Sequence, residues 1–170
     1  FGARSLNEFK KEHSWQLPES QFPYKYSVDL AAAEGLGNAH PLDKHVGKTD
    51  EQLLQRMRDE SRESGEPKIP GASTYVDIDA AQRFTQYALR DKSNKIDKWL
   101  AGDPPDKILE VEAGPIPLQG PLTGEAVTGR GVTYDGNKVS DVHDTDRVSL
   151  RLMRDPSLDP PYIVFTSMPI

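Results

Sequence analysis

The hydrophobic pattern of this chain changes period once, near Gly102, and that change limits which folds are open to it. Up to Gly102, apolar side chains recur at helical spacing: Leu53, Leu54 and Met57, then Phe84, Ala88 and Leu89, then Ile96, Trp99 and Leu100. Beyond it, "KILEVEA", "EAVTGRGVTYDG", "RVSLRLM" and "PYIVFTSM" alternate, separated by Pro, Gly, Asp and Asn clusters. Helices first and strands later predict an α+β fold with an antiparallel sheet.

Local signals sharpen this outline. Thr49 with Gln52 three residues on reads as a capping box that opens a helix, with Arg56 on the flank of its apolar stripe. Asp79 and Gln82 repeat the pattern, after a strand predicted over "STYVDI". In "AHPLDKHVG", Pro41 suits the first turn of a short helix and Gly47 the left-handed position after its last. His45 then falls in that last turn, where the carbonyl end favours positive charge and offsets part of the repulsion from Lys44 and Lys48. Nothing apolar beside His45 suggests a core position. Counting by twos along the last strand puts Tyr162, Val164, Thr166 and Met168 on one face.

Residues 1–30 read as a linker or a remnant of a preceding module, and 31–170 as one domain. In the first piece Ser5 caps a short helix, "LNEFKKEH", and "QLPESQFPYKY" is extended because each proline biases its predecessor away from helix. The chain begins at Phe1 rather than Met and shows no signal peptide, as expected of a fragment of something longer.

Composition narrows the chemistry. A hydrophobic content of 35% with 14 prolines and 13 glycines implies a modest core and generous loops. With no cysteine, neither disulfides nor thiolate metal sites contribute. No apolar run approaches a membrane span. A formal charge of −6 argues against a general polyanion binder, so a nucleic-acid function requires a local basic cleft on an acidic body.

Several constellations can be weighed on spacing. His13, His40, His45 and His143 lack tight ligand spacing, and His40 with His45 is i, i+5 where a helical zinc pair needs i, i+4, so no metal site is expected. Neither a G-x-S-x-G elbow nor a phosphate-binding G-x-x-x-x-G-K loop is present. "GASTY" with Glu110 and Glu112 of "LEVEAG" admits an ADP-ribosyltransferase reading, although a glutamate pair also serves simply to keep an edge strand soluble. His45, Lys48, Arg56 and Thr166 form the other set. Metal-free RNA cleavage needs a base for the 2′-hydroxyl, an acid for the departing 5′-oxygen and a cation for the pentacoordinate phosphorus. A histidine near its usual pKa of about 6.5 performs either proton transfer, and arginine offers a planar fork to the phosphoryl oxygens. Spacing alone does not separate this set from a solvated histidine among surface lysines, which is the commoner arrangement.

"AEGLGNAHPLDKHVGKTDEQLLQRM" resembles the opening of the bacterial ribonuclease A-like toxin domain found at the C-terminus of contact-dependent growth inhibition proteins and related polymorphic toxins. "ASTYVDIDAAQ", "IDKWLAG", "GRGVTYDG", "LMRDP" and "YIVFTSMP" follow in the family's order, so the resemblance runs from Asp29 to Ile170. It implies N-terminal helices packed on a curved antiparallel β-sheet, ribonuclease A-like without disulfides. It further implies a metal-independent, cofactor-free endoribonuclease that cleaves RNA by transphosphorylation to a 2′,3′-cyclic phosphate. Such a toxin is delivered as the C-terminal part of a larger secreted or cell-surface protein, acts in the target-cell cytoplasm, and is neutralised by a cognate immunity protein. The family's catalytic residues fall on His45, Arg56 and Thr166. Lys48 is a further phosphate-binding candidate. The family usually has a Tyr two residues after the Thr, and this chain has Met168, whose thioether can neither donate a hydrogen bond nor transfer a proton. Tyr162, His40 and His143 are the candidate substitutes, with His143 expected in an acidic turn. A catalytically weak relative that only binds its immunity partner is the other reading of Met168.

Overall fold

The computed structural model of the chain describes residues 30, 34, 39, 44–102, 106–118 and 124–170. The first helical piece and the linker expected before residue 30 lie outside them, as do His40 and Pro41. Among the described residues three helices precede most of the strands: α1 (Asp50–Asp59), α2 (Ile78–Asp91) and α3 (Ser93–Leu100). The strands are β1 (Gly71–Thr74), β2 (Ile108–Ala113), β3 (Gly129–Thr133), β4 (His143–Thr145), β5 (Val148–Arg154) and β6 (Tyr162–Pro169). They pair as two antiparallel three-stranded sheets, ordered β1-β3-β4 and β2-β5-β6.

Two cores follow from the two periodicities. In the larger, α2 contributes Phe84, Ala88 and Leu89 and α3 contributes Ile96 and Trp99 against Val111, Leu150, Leu152, Tyr162 and Val164 of the second sheet. Leu30 is fully buried in it and donates its N–H to the Gln82 side chain. In the smaller, Leu53 and Met57 of α1 cover Ala72 and Val132 of the first sheet. The Thr49 capping box forms as the local sequence dictates, with Thr49 and Gln52 satisfying each other's backbone N–H groups. The second helix starts earlier than its expected box: Asp77, not Asp79, is the cap and accepts from the Ala80 N–H. A buried Arg130–Asp50 ion pair of 3.8 Å holds the start of α1 over β3.

The sheets meet at a narrow seam. Only Asp146 and Arg147 separate β4 from β5, and Arg147 exchanges two backbone hydrogen bonds of 2.9 Å with Ile170, just past β6. At this corner a Cβ on Gly129 would lie 2.2 Å from the Thr74 carbonyl oxygen and 2.7 Å from Pro169 Cγ, so no side chain fits between the strands.

The last strand corrects the parity read from sequence. Arg151 pairs with Thr166 but Leu152 pairs with Val164, so Phe165 is an extra residue in a β-bulge. Past it the alternation reverses. Tyr162, Val164 and Ser167 face the larger core, whereas Thr166 and Met168 lie on the outer face with Arg151 and Ser149. Tyr162 and Thr166 therefore do not share a face. His143 is likewise not in a turn; it opens β4, paired with Gly131.

Gly129→Ala should destabilise the fold by about 3 kcal/mol, the upper range for forcing atoms into a packed contact, measured by urea unfolding.

Candidate active site

Residues 45–47 add themselves to the end of β1. The His45 carbonyl accepts from the Tyr75 N–H at 2.7 Å, the Gly47 N–H donates to the Tyr75 carbonyl at 2.9 Å, and Val46 and Tyr75 form a parallel bridge. Gly47 takes φ 67°, the left-handed position anticipated for it, so the chain can turn toward α1. The Lys48 N–H then bonds to Thr74 Oγ1 at 2.9 Å, which ties the start of α1 to the same strand.

This docking buries His45 to 5% exposure, contrary to the exposed position its lysine neighbours suggest. Its Nδ1 lies 3.2 Å from the Ser73 carbonyl oxygen. A carbonyl only accepts, so Nδ1 carries the hydrogen and the neutral ring presents Nε2 as a bare acceptor. Burial pushes the His45 pKa down to about 4; the Ser73 carbonyl works against this, and the charges of Arg56, Lys44 and Lys48 add to it. The expectation of a histidine near 6.5, supported by a helix end, gives way here to a ring that is neutral at pH 7.

Beside it, Lys44, Lys48, Gln52, Leu53, Arg56 and Glu60 line a groove of about 260 Å³. Arg56 is 22% exposed, and its Nε donates to Glu60 Oε1 at 3.1 Å. Its Nη1 is buried with no hydrogen-bond partner. Half of the fork is thus fixed by a carboxylate one turn on, and the other half carries a buried donor without a hydrogen-bond partner.

The structure brings His45, Lys44, Lys48 and Arg56 into one electrostatic neighbourhood. Thr166 is half-buried on the outer face of β6 and does not line the cationic groove. Met168, the next residue on that face, lines a different cavity together with Ser73 and His143. Tyr162 sits in the larger core against Trp99, ring centroids 6.1 Å apart, on the far side of the sheet from Thr166. Glu110, half of the ADP-ribosyltransferase pattern, is ion-paired with Arg151 on the exposed face of β2, while Ser73 and Thr74 belong to the other sheet. Ser73 and Glu60 were missed as site residues. The i, i+4 step from Arg56 to Glu60 was readable; the contact of His45 with a carbonyl 28 residues away was not.

Among solved structures, the chain is similar to the CdiA-CT/CdiI complex from Y. kristensenii 33638, at 26% identity and a TM-score of 0.56, over 75% of this chain and 96% of that one. With the cysteine-free helices and paired three-stranded sheets, this defines an α+β toxin domain of the ribonuclease A-like class. Residues 39–169 match the family described as the bacterial CdiA-CT RNAse A domain, and the chain belongs to that family. No curated protein matches it.

Because the folded His45 binds its proton less readily than the unfolded ring, folding stability should fall as pH drops from 6.5 to 4 and level off below. The loss should approach about 3 kcal/mol in denaturant titrations and be absent from a His45→Gln protein.

Proposed function

We propose that the domain is a metal-independent endoribonuclease toxin that cleaves RNA by transphosphorylation, with His45 as general base. The observation that carries this reading is a neutral imidazole, its tautomer fixed by Ser73, beside an arginine with an unpartnered buried donor. In the proposed step His45 Nε2 takes the 2′-hydroxyl proton and the 2′-oxygen attacks phosphorus. The bond to the 5′-oxygen breaks, leaving a 2′,3′-cyclic phosphate. Arg56 neutralises charge on the phosphoryl oxygens, with Lys48 and Lys44 holding the flanking backbone. Thr166 donates a hydrogen bond to the phosphate from the β6 side. With Met168 in the position where the family usually carries Tyr, water protonates the departing 5′-oxygen.

The overall acidity of the chain is compatible with this reading because Lys44, Lys48 and Arg56 line one groove with a single carboxylate, Glu60. Its structural relative is a complex with CdiI. By analogy, a cognate immunity protein binds this domain, and the toxin acts in the cytoplasm of the cell that receives it. Met168 also favours a second reading, a weakly active domain retained for binding that partner.

His45→Ala should lower the cleavage rate of total RNA by about a thousandfold and Arg56→Ala by about a hundredfold, with EDTA leaving the wild-type rate unchanged. Wild-type rates in the His45 variant would overturn the assignment, and loss of cleavage in EDTA would overturn metal independence. Absent cleavage alongside tight immunity binding would favour the second reading. Since the base is neutral far below pH 7, kcat/KM should decline only as pH falls toward about 4. A limb near pH 6.5 would mean another group is the base.

A further inference from the structure

Tyr75 follows β1 directly and is fully buried, and its main chain and side chain serve different parts of the molecule. The backbone exchanges two hydrogen bonds with residues 45–47: its N–H donates to the His45 carbonyl at 2.7 Å and its carbonyl accepts from the Gly47 N–H at 2.9 Å. The ring stacks on Phe84 of α2, with centroids 6.4 Å apart and planes 13° from parallel. The hydroxyl then reaches the other sheet, where it shares a 2.8 Å hydrogen bond with Ser167 of β6. Ser167 shares a second, of 2.6 Å, with Thr85 of α2. All three hydroxyls are fully buried. Burial also raises the pKa of the Tyr75 phenol, so it keeps its proton and acts as a link rather than a proton donor.

A hydroxyl in an apolar interior must find a partner, a demand that a methyl group of similar size would not make. What a chain of hydroxyls adds is direction, because it is satisfied in one arrangement of the strands and not in a slipped one. Ser167 is the neighbour of Thr166 and lies just past the bulge at Phe165, where the register of β6 against β5 shifts. It meets the Tyr75 hydroxyl only while it faces inward. We propose that Tyr75 is a positioning residue: through its hydroxyl and Ser167 it fixes where Thr166 stands relative to His45, which its own backbone holds. The consequence for catalysis rests on the ribonuclease reading; the restraint on β6 does not. Misplacing a group by about 1 Å costs up to about a hundredfold in rate, and the ladder to β5 still holds β6 when the link is cut. A loss of about tenfold is therefore expected.

The test is Tyr75→Phe in the whole chain, which keeps the ring, its stacking and both backbone bonds and removes only the link. With RNA, kcat/KM should fall about tenfold while the low-pH limb stays in place, since nothing that sets the basicity of His45 has changed. In a Thr166→Ala background the same substitution should alter kcat/KM by less than about twofold, because no hydroxyl is left to position. A merely structural loosening would cost about the same in both backgrounds. Without RNA, amide hydrogen exchange over Thr166–Met168 should quicken at least about tenfold in Tyr75→Phe while the β2 amides keep their rates. Should Tyr75→Phe not fold, Ser167→Ala cuts the same bond from the β6 side and replaces it in both measurements. Equal losses in the two backgrounds, an unchanged cleavage rate, or unchanged exchange over β6 overturns the proposal. Faster β6 exchange, in a protein whose wild type cleaves no RNA, supports the link and counts against the ribonuclease reading.

Discussion

The arrangement depends on residues 45–47 docking against the end of β1. Two backbone hydrogen bonds to Tyr75 bring His45 alongside the strand, and only then can its Nδ1 reach the Ser73 carbonyl. Three consequences come from this one contact. The ring is dehydrated, so its charged form is disfavoured. The tautomer is fixed by an acceptor that cannot titrate. The chain leaving Gly47 is also aimed at α1, so Lys48 and Arg56 arrive beside the ring. An imidazole so held is a weak base in equilibrium terms but a ready one, since no proton has to leave before it acts.

Electrostatics on this small acidic body is local. The groove collects Lys44, Lys48 and Arg56 against a single carboxylate, Glu60, which holds the arginine rather than cancelling the whole set. Elsewhere a buried Arg130 draws Asp50 and Asp144 toward β3, so carboxylates near the α1 N-terminus are engaged structurally. Separating the two uses of arginine, one closing a core and one left partly open, is what allows a chain of net charge −6 to present a cationic surface.

What the sequence made legible was what short-range chemistry decides. The Thr49–Gln52 box, the left-handed Gly47, the Phe84–Ala88–Leu89 stripe and the change from helix to strand at Gly102 all depend on residues within a turn or two of each other. The start of α2 was read two residues late because Gln82, which made Asp79 look like a capping-box residue, is used by the Leu30 N–H, while Asp77 caps the helix. The burial of His45 was illegible because its cover comes from a strand far along the chain, while its sequence neighbours are lysines. β4 was missed because three residues, two of them exposed and one acidic, carry no apolar alternation. The position and charge of the candidate groove could be anticipated; the tautomer and acidity of its imidazole could not.

The extra residue at Phe165 has a further consequence. Just past it, adjacent hydroxyls serve opposite surroundings: Ser167 points inward, bonded to Tyr75 at 2.8 Å and Thr85 at 2.6 Å, while Thr166 looks outward. Were Phe165 drawn into a regular ladder instead of bulged, the two would exchange, sealing the threonine among aromatic rings and turning the serine to solvent, with no change in which amino acids follow. The bulge at this point, more than residue identity, therefore decides which oxygen meets the outside world.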